Sequence, residues 1–392
     1  MRIAADMEPA PPIRVGLHSA IASLLAQPVA ALADLPPVAS VTATGYAVRG
    51  IGPWTVMPGL DPDEELPDGV AVVVREGDPL PLGAGAALSL EHAVVEHTAG
   101  ADVVLVGNAA TGMPDRRPGM LAPGSGILAP GAEARAGDLL IKAGTVVTAG
   151  TVALAAAAGV DELVIIPPAT VAPVMMGSDL LHSGPPRRGR NRDIVAPLLP
   201  SWIMGAGARC LPEIVGVSHN GSALADQIDS VGADLTVLTA TSEPGVGHSV
   251  GEALRHLRAE ILIDRLAADP ARDVLLAELR DGRRLLALPR EPAAAIVTLA
   301  LLLTPMMAAL SGRSAARVDT VMLREALPLV RFERAVAVQI EAGELADLGT
   351  VQPWSGPHGL AAVGTADAIA FIDPGRGNRG DSVPVVALPG RI

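Results

Sequence analysis

Apolar positions recur along this chain in two rhythms, and the switches between them mark its organisation. From Ile13 to Ala33, Val15, Leu17, Ile21, Leu24, Leu25 and Leu32 suggest a helix, closed off by Pro36 and Pro37. From about Val38 to Val106 come short valine-rich runs broken by Gly and Pro, such as GVAVVVREGD, which read as strands of a small β domain. Gly107 to Gly124 is a Gly/Pro-rich connection. The stretch GDLLIKAGTVVTAGTVALAAAAGVDELVI, Gly137 to Ile165, reads as strand, turn and an Ala-rich helix after Thr148, a return to the first region.

Between about Pro168 and Gly312 strands and helices alternate. Ile214 to Val217 is a short apolar strand, Ser222 to Val231 a helix and Leu235 to Ala240 a second strand, a βαβ unit expected to be parallel and right-handed. In the following loop, TSEPGVGHSVGE, Ser249 precedes Glu252 by three residues, the spacing of a capping box for a helix running to about Leu262. Ligands in such folds bind at this carboxyl end of the sheet. From Ala315 onward short strands return, including AVAVQI and VPVVAL.

The expected fold class is therefore a multidomain α/β protein. It combines a three-layer α/β domain with a parallel-rich sheet, an inserted β domain and a C-terminal β-barrel-like domain. The expected division is 1–37 with 125–167 as a mixed linker domain, 38–124 as the inserted domain, 168–314 as the α/β domain and 315–392 as the C-terminal domain. At 392 residues the chain exceeds the roughly 100 to 200 residues of an ordinary domain.

Composition sharpens this picture. Hydrophobic residues make up 49% of the chain but aromatics only 2%, so the core is expected to be built from Ala, Val, Leu and Ile. The 42 glycines and 35 prolines, without a collagen-like period, imply many short elements joined by sharp turns. A formal charge of −13 disfavours nonspecific binding to nucleic acid or an anionic membrane. The lone cysteine, Cys210, excludes an internal disulfide and any cysteine-based zinc site, and reads as a buried small hydrophobe in a reducing compartment. The start, MRIAADMEPAPPIR, has acids and prolines where a signal peptide needs an apolar stretch, so a cytoplasmic location is expected. Ala293 to Leu310 is an uncharged run of 18 residues, but Pro305 and two threonines favour a buried helix over a membrane span.

Several stretches resemble the molybdopterin molybdenumtransferase family and the matching domain of gephyrin. PGAEARAGDLLIKAGTVVTAGTVALAAAAG is similar to the family's segment with a Gly-Glu-Asp turn, a Gly-Asp, a Gly-Thr and an Ala-rich helix ending in Gly. Gly45-Tyr46-Ala47-Val48-Arg49 is similar to Asp-Gly-Tyr-Ala-Val-Arg, and Pro79 to Ala84 to Gly-Ala-x-x-Pro-x-Gly-Ala. The loop ending Gly247-His248-Ser249-Val250-Gly251 is similar to Gly-Gly-Val-Ser-Val-Gly, and Leu288-Pro289-Arg290-Glu291-Pro292 stands where the family has Leu-Pro-Gly-Asn-Pro.

The resemblance implies a role in molybdenum cofactor biosynthesis. Its ligand would be molybdopterin or adenylyl-molybdopterin, its reaction the joining of molybdate to the dithiolene while an adenylyl group is hydrolysed away, and its assembly a homodimer. The reaction needs carboxylates for Mg²⁺ and molybdate. Here the acid of Asp-Gly-Tyr-Ala is Thr44, a later Asp is Leu254, and an acidic pair becomes His219-Asn220. Glu133 and Asp179 remain as metal or molybdate neighbours, with solvated turn acids as the alternative for each. Arg272 stands near the position of a Pro-Gly-Lys-Pro lysine and would supply a cation. Gly245, Gly247, His248, Ser249 and Gly251, with His219 and Asn220, are the expected cofactor-binding positions, because glycines let amides converge at a helix N-terminus. Ser249 either caps that helix or touches ligand. Arg187, Arg188, Arg190 and Arg192 form either a phosphate-binding or an exposed basic loop. No His-x-x-x-His pair occurs, so no zinc site is expected. The lost acids leave open a non-catalytic scaffold with a protein partner, or a molybdopterin carrier.

Overall fold

The computed structural model describes residues 7–61, 63–98, 100–107, 113–115, 119, 121–176, 180–188, 190–214, 220–239, 241, 246–313, 319–328, 332–343, 347–352 and 360–389. Two compact units emerge. One comprises Arg14–Ile21 and Leu25–Val164; the other comprises Ile165–Ile392 with Met1–Ile13 and Ala22–Leu24.

The first unit is β-rich from its start, and the helix expected over Ile13 to Ala33 does not form. The segment instead folds as the strands Ile13–Gly16, Leu24–Leu25 and Val29–Ala30 with a 3-10 turn at Leu17–Ser19. The strand Glu162–Ile166 lies between the first two, and Leu139–Ile141 pairs with the third. Spacing compatible with a helix lost to these distant partners, helped by Ala22 at φ 67° and by Pro28, which removes a donor. Ile21 and Leu32, two of the apolar positions that suggested the helix, are 54% and 68% exposed.

The valine-rich runs do form strands. Seven make one sheet, ordered Pro114–Asp115, Asp102–Gly107, Trp54–Met57, Val70–Val74, Gly45–Val48 and Ala86–Ser89, with Ala93–His97 on the second of these. Successive residues serve opposite faces. Ala47, Val72 and Ala87 join one core cluster, while their neighbours Val48, Ala71 and Ala86 join another. At Gly45 a Cβ would lie 2.0 Å from the Leu88 carbonyl oxygen, so only glycine fits there. The Ala-rich segment is helix α1, Ala149–Ala157, capped by Thr148, whose hydroxyl accepts the Thr151 N–H at 3.2 Å.

The second unit holds the α/β sheet. Arg209–Cys210, Thr170–Val174, Leu235–Leu238 and Arg284–Ala287 run parallel side by side, followed by Leu275–Glu278 antiparallel to the last and Glu260–Asp264 at the edge. Helices α2 (Leu199–Gly205), α3 (Gly221–Val231) and α4 (Val246–Leu257) follow in chain order. Leu224 and Ile228 of α3 pack with Val250 and Leu254 of α4 against Leu238 and Leu285 of the sheet. Trp202 and Ile203 of α2 join the separate cluster that includes Leu235, Leu286 and the long helix α5, Pro292–Leu310. This makes three layers. Of the first strand of the expected βαβ unit only Ile214 is described, and it makes a parallel bridge to Val174; residues 215–217 lie outside the described residues.

Helix α5 is long and apolar enough to cross a membrane, yet 67% of its apolar window is buried within the protein. Pro305 lacks an N–H, and the helix accommodates it with a π segment at Leu299–Leu303. Thr304 Oγ1 donates to the Leu299 carbonyl at 3.2 Å and accepts Trp202 Nε1–H at 3.0 Å.

C-terminally, Glu333–Glu341, Leu348–Gln352, Asp319–Leu323, Ser382–Ala387 and Ala368–Ile372 pair in that order, and the last returns to the first. The result is a closed five-stranded barrel. Val336, Val338, Ala368, Ala370, Val383 and Val385 belong to its own core cluster. The alternate residues Ala335, Ala337, Ile369 and Phe371 belong to the cluster shared with α2 and α5. Helix α6, Leu360–Thr365, precedes the fourth of these strands along the chain.

Candidate functional site

The three parallel strands Thr170–Val174, Leu235–Leu238 and Arg284–Ala287 end at one edge of the sheet. The loops that follow are tied to one another. Thr241 donates from its N–H at 3.0 Å and its hydroxyl at 2.8 Å to the Leu288 carbonyl, and Thr239 Oγ1 accepts the Met176 N–H at 3.2 Å. Both threonines are thus committed to holding the loops in register.

Along α4 beside this edge runs a groove of about 830 Å³. Gly247, Gly251, Leu254, Arg255 and Arg258 line it from the helix; these positions repeat at helical spacing and share one face. Opposite them in the chain order, Asp264, Arg265, Asp273 and Leu275 line it from the antiparallel hairpin. A Cβ on Gly251 would meet nothing within 4 Å, so the missing side chain there is space belonging to the groove. His248 lines it as well.

Two of the arginines adopt backbone that only glycine takes without strain. Arg258 has φ 50° and Arg265 φ 75°. Arg258 ends α4 as a left-handed cap: its N–H reaches the Arg255 carbonyl at 3.2 Å, and Ala259 N–H reaches Leu254 at 2.9 Å. Glycine is the ordinary residue at that position, and another residue costs roughly 1–2 kcal/mol there. Among the described residues neither Arg258 nor Arg265 has an ion-pair partner, and both are exposed. Arg255 Nε donates to the Gly251 carbonyl at 3.3 Å. The groove therefore offers three guanidinium groups, two of them unpaired, against the carboxylates of Asp264 and Asp273.

Of the positions expected from sequence, Gly247, His248 and Gly251 come together on this groove. Ser249 does not cap the helix: α4 starts at Val246, and Ser249 lies within it, 2% exposed. Nor does Glu252 close a capping box. Its carboxylate accepts the Gly221 N–H at the head of α3, at 3.2 Å, and α4 ends at Leu257 rather than Leu262. Asn220 caps α3, its side-chain oxygen accepting Ser222 N–H at 2.9 Å and Ala223 N–H at 3.2 Å. Leu254 is buried against the sheet.

Arg272 is not on the groove. Its guanidinium pairs with Asp269 at 3.6 Å and lies 5.2 Å from the centre of the Phe332 ring, although its neighbour Asp273 does line the groove. Glu133 belongs to the other unit, exposed on a turn, where its N–H reaches the Leu35 carbonyl at 2.9 Å. Thr44 Oγ1 accepts the Glu76 N–H at 3.2 Å. Arg192 donates to the Leu181 carbonyl at 3.2 Å, and Arg187 and Arg190 form an isolated bridge. Asp179, His219 and Gly245 lie outside the described residues. Among the described residues no three His, Cys, Asp or Glu side chains gather as a metal site.

Arg255, Arg258 and Arg265 were missed by sequence reasoning. In sequence, basic residues in the last turn of a helix signal only favourable dipole placement. The left-handed backbone that aims two of them is visible only in three dimensions.

Residues 1–159 match the family model of the MoeA N-terminal region (domain I and II). A molybdopterin molybdenumtransferase of Synechococcus elongatus is 27% identical over 308 residues, covering 73% of this chain and 72% of that protein. One from Staphylococcus aureus is 24% identical over 412 residues, covering 97% and 91%. The crystal structure of a molybdopterin biosynthesis MoeA protein from Pyrococcus horikoshii is similar in fold, with a TM-score of 0.69 and 19% identity over 100% of this chain and 98% of that one. With its three-layer sheet and closed terminal barrel the chain is similar to the MoeA proteins, and its N-terminal region, residues 1–159, matches their domains I and II.

Proposed function

We propose that this protein acts in molybdenum cofactor assembly by binding molybdopterin or adenylyl-molybdopterin, with the ligand's phosphate groups in the α4 groove. The observation that carries this reading is the pair of unpaired guanidiniums, Arg258 and Arg265, held in strained backbone beside the side-chain-free face at Gly247 and Gly251. Guanidinium groups recognise phosphate in bidentate fashion, and the amides at the start of α4 add partial positive charge. Local rule-breaking of this kind is expected where a site demands it. The names of the relatives support the same ligand class.

The chemistry of this reading is the joining of molybdate, as substrate, to the dithiolene as the adenylyl group leaves to water. The arginines would hold the phosphates, and the groove walls would orient them. Glu133 and Asp179 are the proposed carboxylates toward molybdate or Mg²⁺, each testable on its own by Glu133→Gln and Asp179→Asn. Arg272 is proposed as an accessory cation. A cytoplasmic homodimer acting on a small pterin ligand, without nucleic acid or membrane, completes the proposal and agrees with the charge of −13. The scaffold alternative is not favoured.

The test is a titration of the purified protein with molybdopterin and adenylyl-molybdopterin, followed by molybdate and Mg²⁺ with adenylate release as readout. Binding with release supports the transferase reading. Binding without release would reduce the proposal to a carrier, and no binding of either ligand would overturn it.

A further inference from the structure

The groove residue Arg265 opens a loop that runs to Asp273, between the strands Glu260–Asp264 and Leu275–Glu278. Its backbone, at φ 75°, is one that a residue with a Cβ holds only where the surroundings over-determine it. Two sets of contacts do so. Within the loop, Arg265 N–H reaches the Val274 carbonyl at 2.9 Å and Leu266 N–H the Arg272 carbonyl at 3.1 Å. From outside, the terminal barrel supplies a strand: Ala268 and Asp269 pair in parallel with Glu333 and Arg334, the first two residues of Glu333–Glu341. Phe332 stands immediately before that strand, its ring centre 5.2 Å from the Arg272 guanidinium, which Asp269 flanks at 3.6 Å. Ala271 and Val274 of the loop belong to the core cluster that also holds Ala335 and Ala337 of the same barrel strand.

We infer that Phe332 is a positioning residue for the groove: through Arg272 and the paired segment Ala268–Asp269 it fixes the loop that presents the Arg265 guanidinium to an anionic ligand, without touching that ligand itself. This rests on the reading that the groove takes phosphate groups. With 54% of its surface exposed, Phe332 gives only part of its ring to packing, and its face attracts the Arg272 cation. Among the described residues none of the barrel lines the groove, so the barrel's influence on the ligand runs through this loop. The barrel is thereby more than a terminal appendage, because one of its strands sets the geometry of an anion site in the neighbouring α/β sheet.

Calorimetric titration of the full chain with adenosine 5′-monophosphate, a phosphate-bearing probe, would be made on wild type, Phe332→Leu, Phe332→Trp, Arg265→Ala and the Phe332→Leu, Arg265→Ala double variant. Arg272 stays in place in all of them, so a change reports the position of the loop and not the number of cations. Hydrogen exchange over 265–273 would be followed by mass spectrometry without ligand. We expect Phe332→Leu to weaken adenylate binding about two- to fivefold, the range of an exposed cation–π contact, and Phe332→Trp to keep wild-type affinity. Exchange over 265–273 should quicken in Phe332→Leu and not in Phe332→Trp. In the Arg265→Ala background Phe332→Leu should bring no further loss, since the loop no longer carries the group it positions. Equal loss in both backgrounds would overturn the inference, as would adenylate binding indifferent to Arg265→Ala. Unchanged exchange in Phe332→Leu, with adenylate still bound by wild type, would sink this inference alone. Wild type that binds no adenylate would sink the parent reading and this inference with it.

Discussion

Glu252 of α4 accepts the backbone N–H of Gly221, the first residue of α3, at 3.2 Å. With Asn220 taking the next two N–H groups, the head of α3 is saturated by protein acceptors, one of them anionic. Protein acceptors thus occupy that helix start, whereas the face of α4 that carries Gly247 and Gly251 lines the groove. Glu252→Ala should therefore cost about 1 kcal/mol through loss of a charge-assisted cap. Thermal melting would check it, with Glu252→Gln expected to retain most of the stability. Gly221→Ala should be worse, since its Cβ would stand 2.4 Å from the Glu252 Cβ.

Gly251→Leu should separate folding from binding. The added side chain meets no protein atom within 4 Å at its Cβ, and leucine is the better helix former by somewhat under about 1 kcal/mol. The variant should melt at or above the wild-type temperature while its affinity for adenylyl-molybdopterin falls at least about tenfold. Full affinity in a folded Gly251→Leu variant would place the ligand elsewhere.

Arg258→Gly should show a trade between stability and function. Glycine relieves the left-handed backbone at φ 50°, so the folded state should gain up to about 1 kcal/mol. Loss of the guanidinium should weaken phosphate-bearing ligands several-fold and flatten the salt dependence of binding. Melting curves and titrations at two ionic strengths would reveal both effects.

Burial, joined by the charge of Asp373, pushes the Glu333 carboxyl above its ordinary range. An acid raised on folding contributes stability below its unfolded value, about 4.3, and loses that contribution as pH rises through the folded value. Glu333→Gln should accordingly be more stable than wild type at pH 7, with the difference closing as the pH falls towards about 4. A difference that is constant with pH would show that the charge is not the cause.

What the sequence determined by itself was whatever a segment decides through its own periodicity and punctuation. The valine-rich runs had to be strands because alternate residues reach opposite faces, as Ala71 and Val72 do. The helix Gly221–Val231 was legible from its apolar spacing, and Ala149–Ala157 from its Ala-rich run after Thr148. The apolar run within Pro292–Leu310 was legible as a buried helix because a proline and threonines sit inside it. Gly247 and Gly251, singled out in the sequence as cofactor-binding positions, lie on the groove along α4.

Tertiary structure decided the features that depend on a partner far away in the chain. Ile13 to Ala33 became strands because Leu139–Ile141 and Glu162–Ile166 supplied edges to pair with, which no local pattern encodes. The Ser249 and Glu252 spacing fits a helix interior as well as a cap, and only the packing of α4 on α3 assigned Glu252 to Gly221, 31 residues earlier. Arg258 and Arg265 look like ordinary surface charges until the backbone turns left-handed beneath them. Arg272 and Phe332 gave no sign of facing each other, because a ring contact is defined by where two distant segments fold. Periodicity is a property of one segment, whereas a site is a property of several, and that is why the fold was largely readable and the chemistry was not.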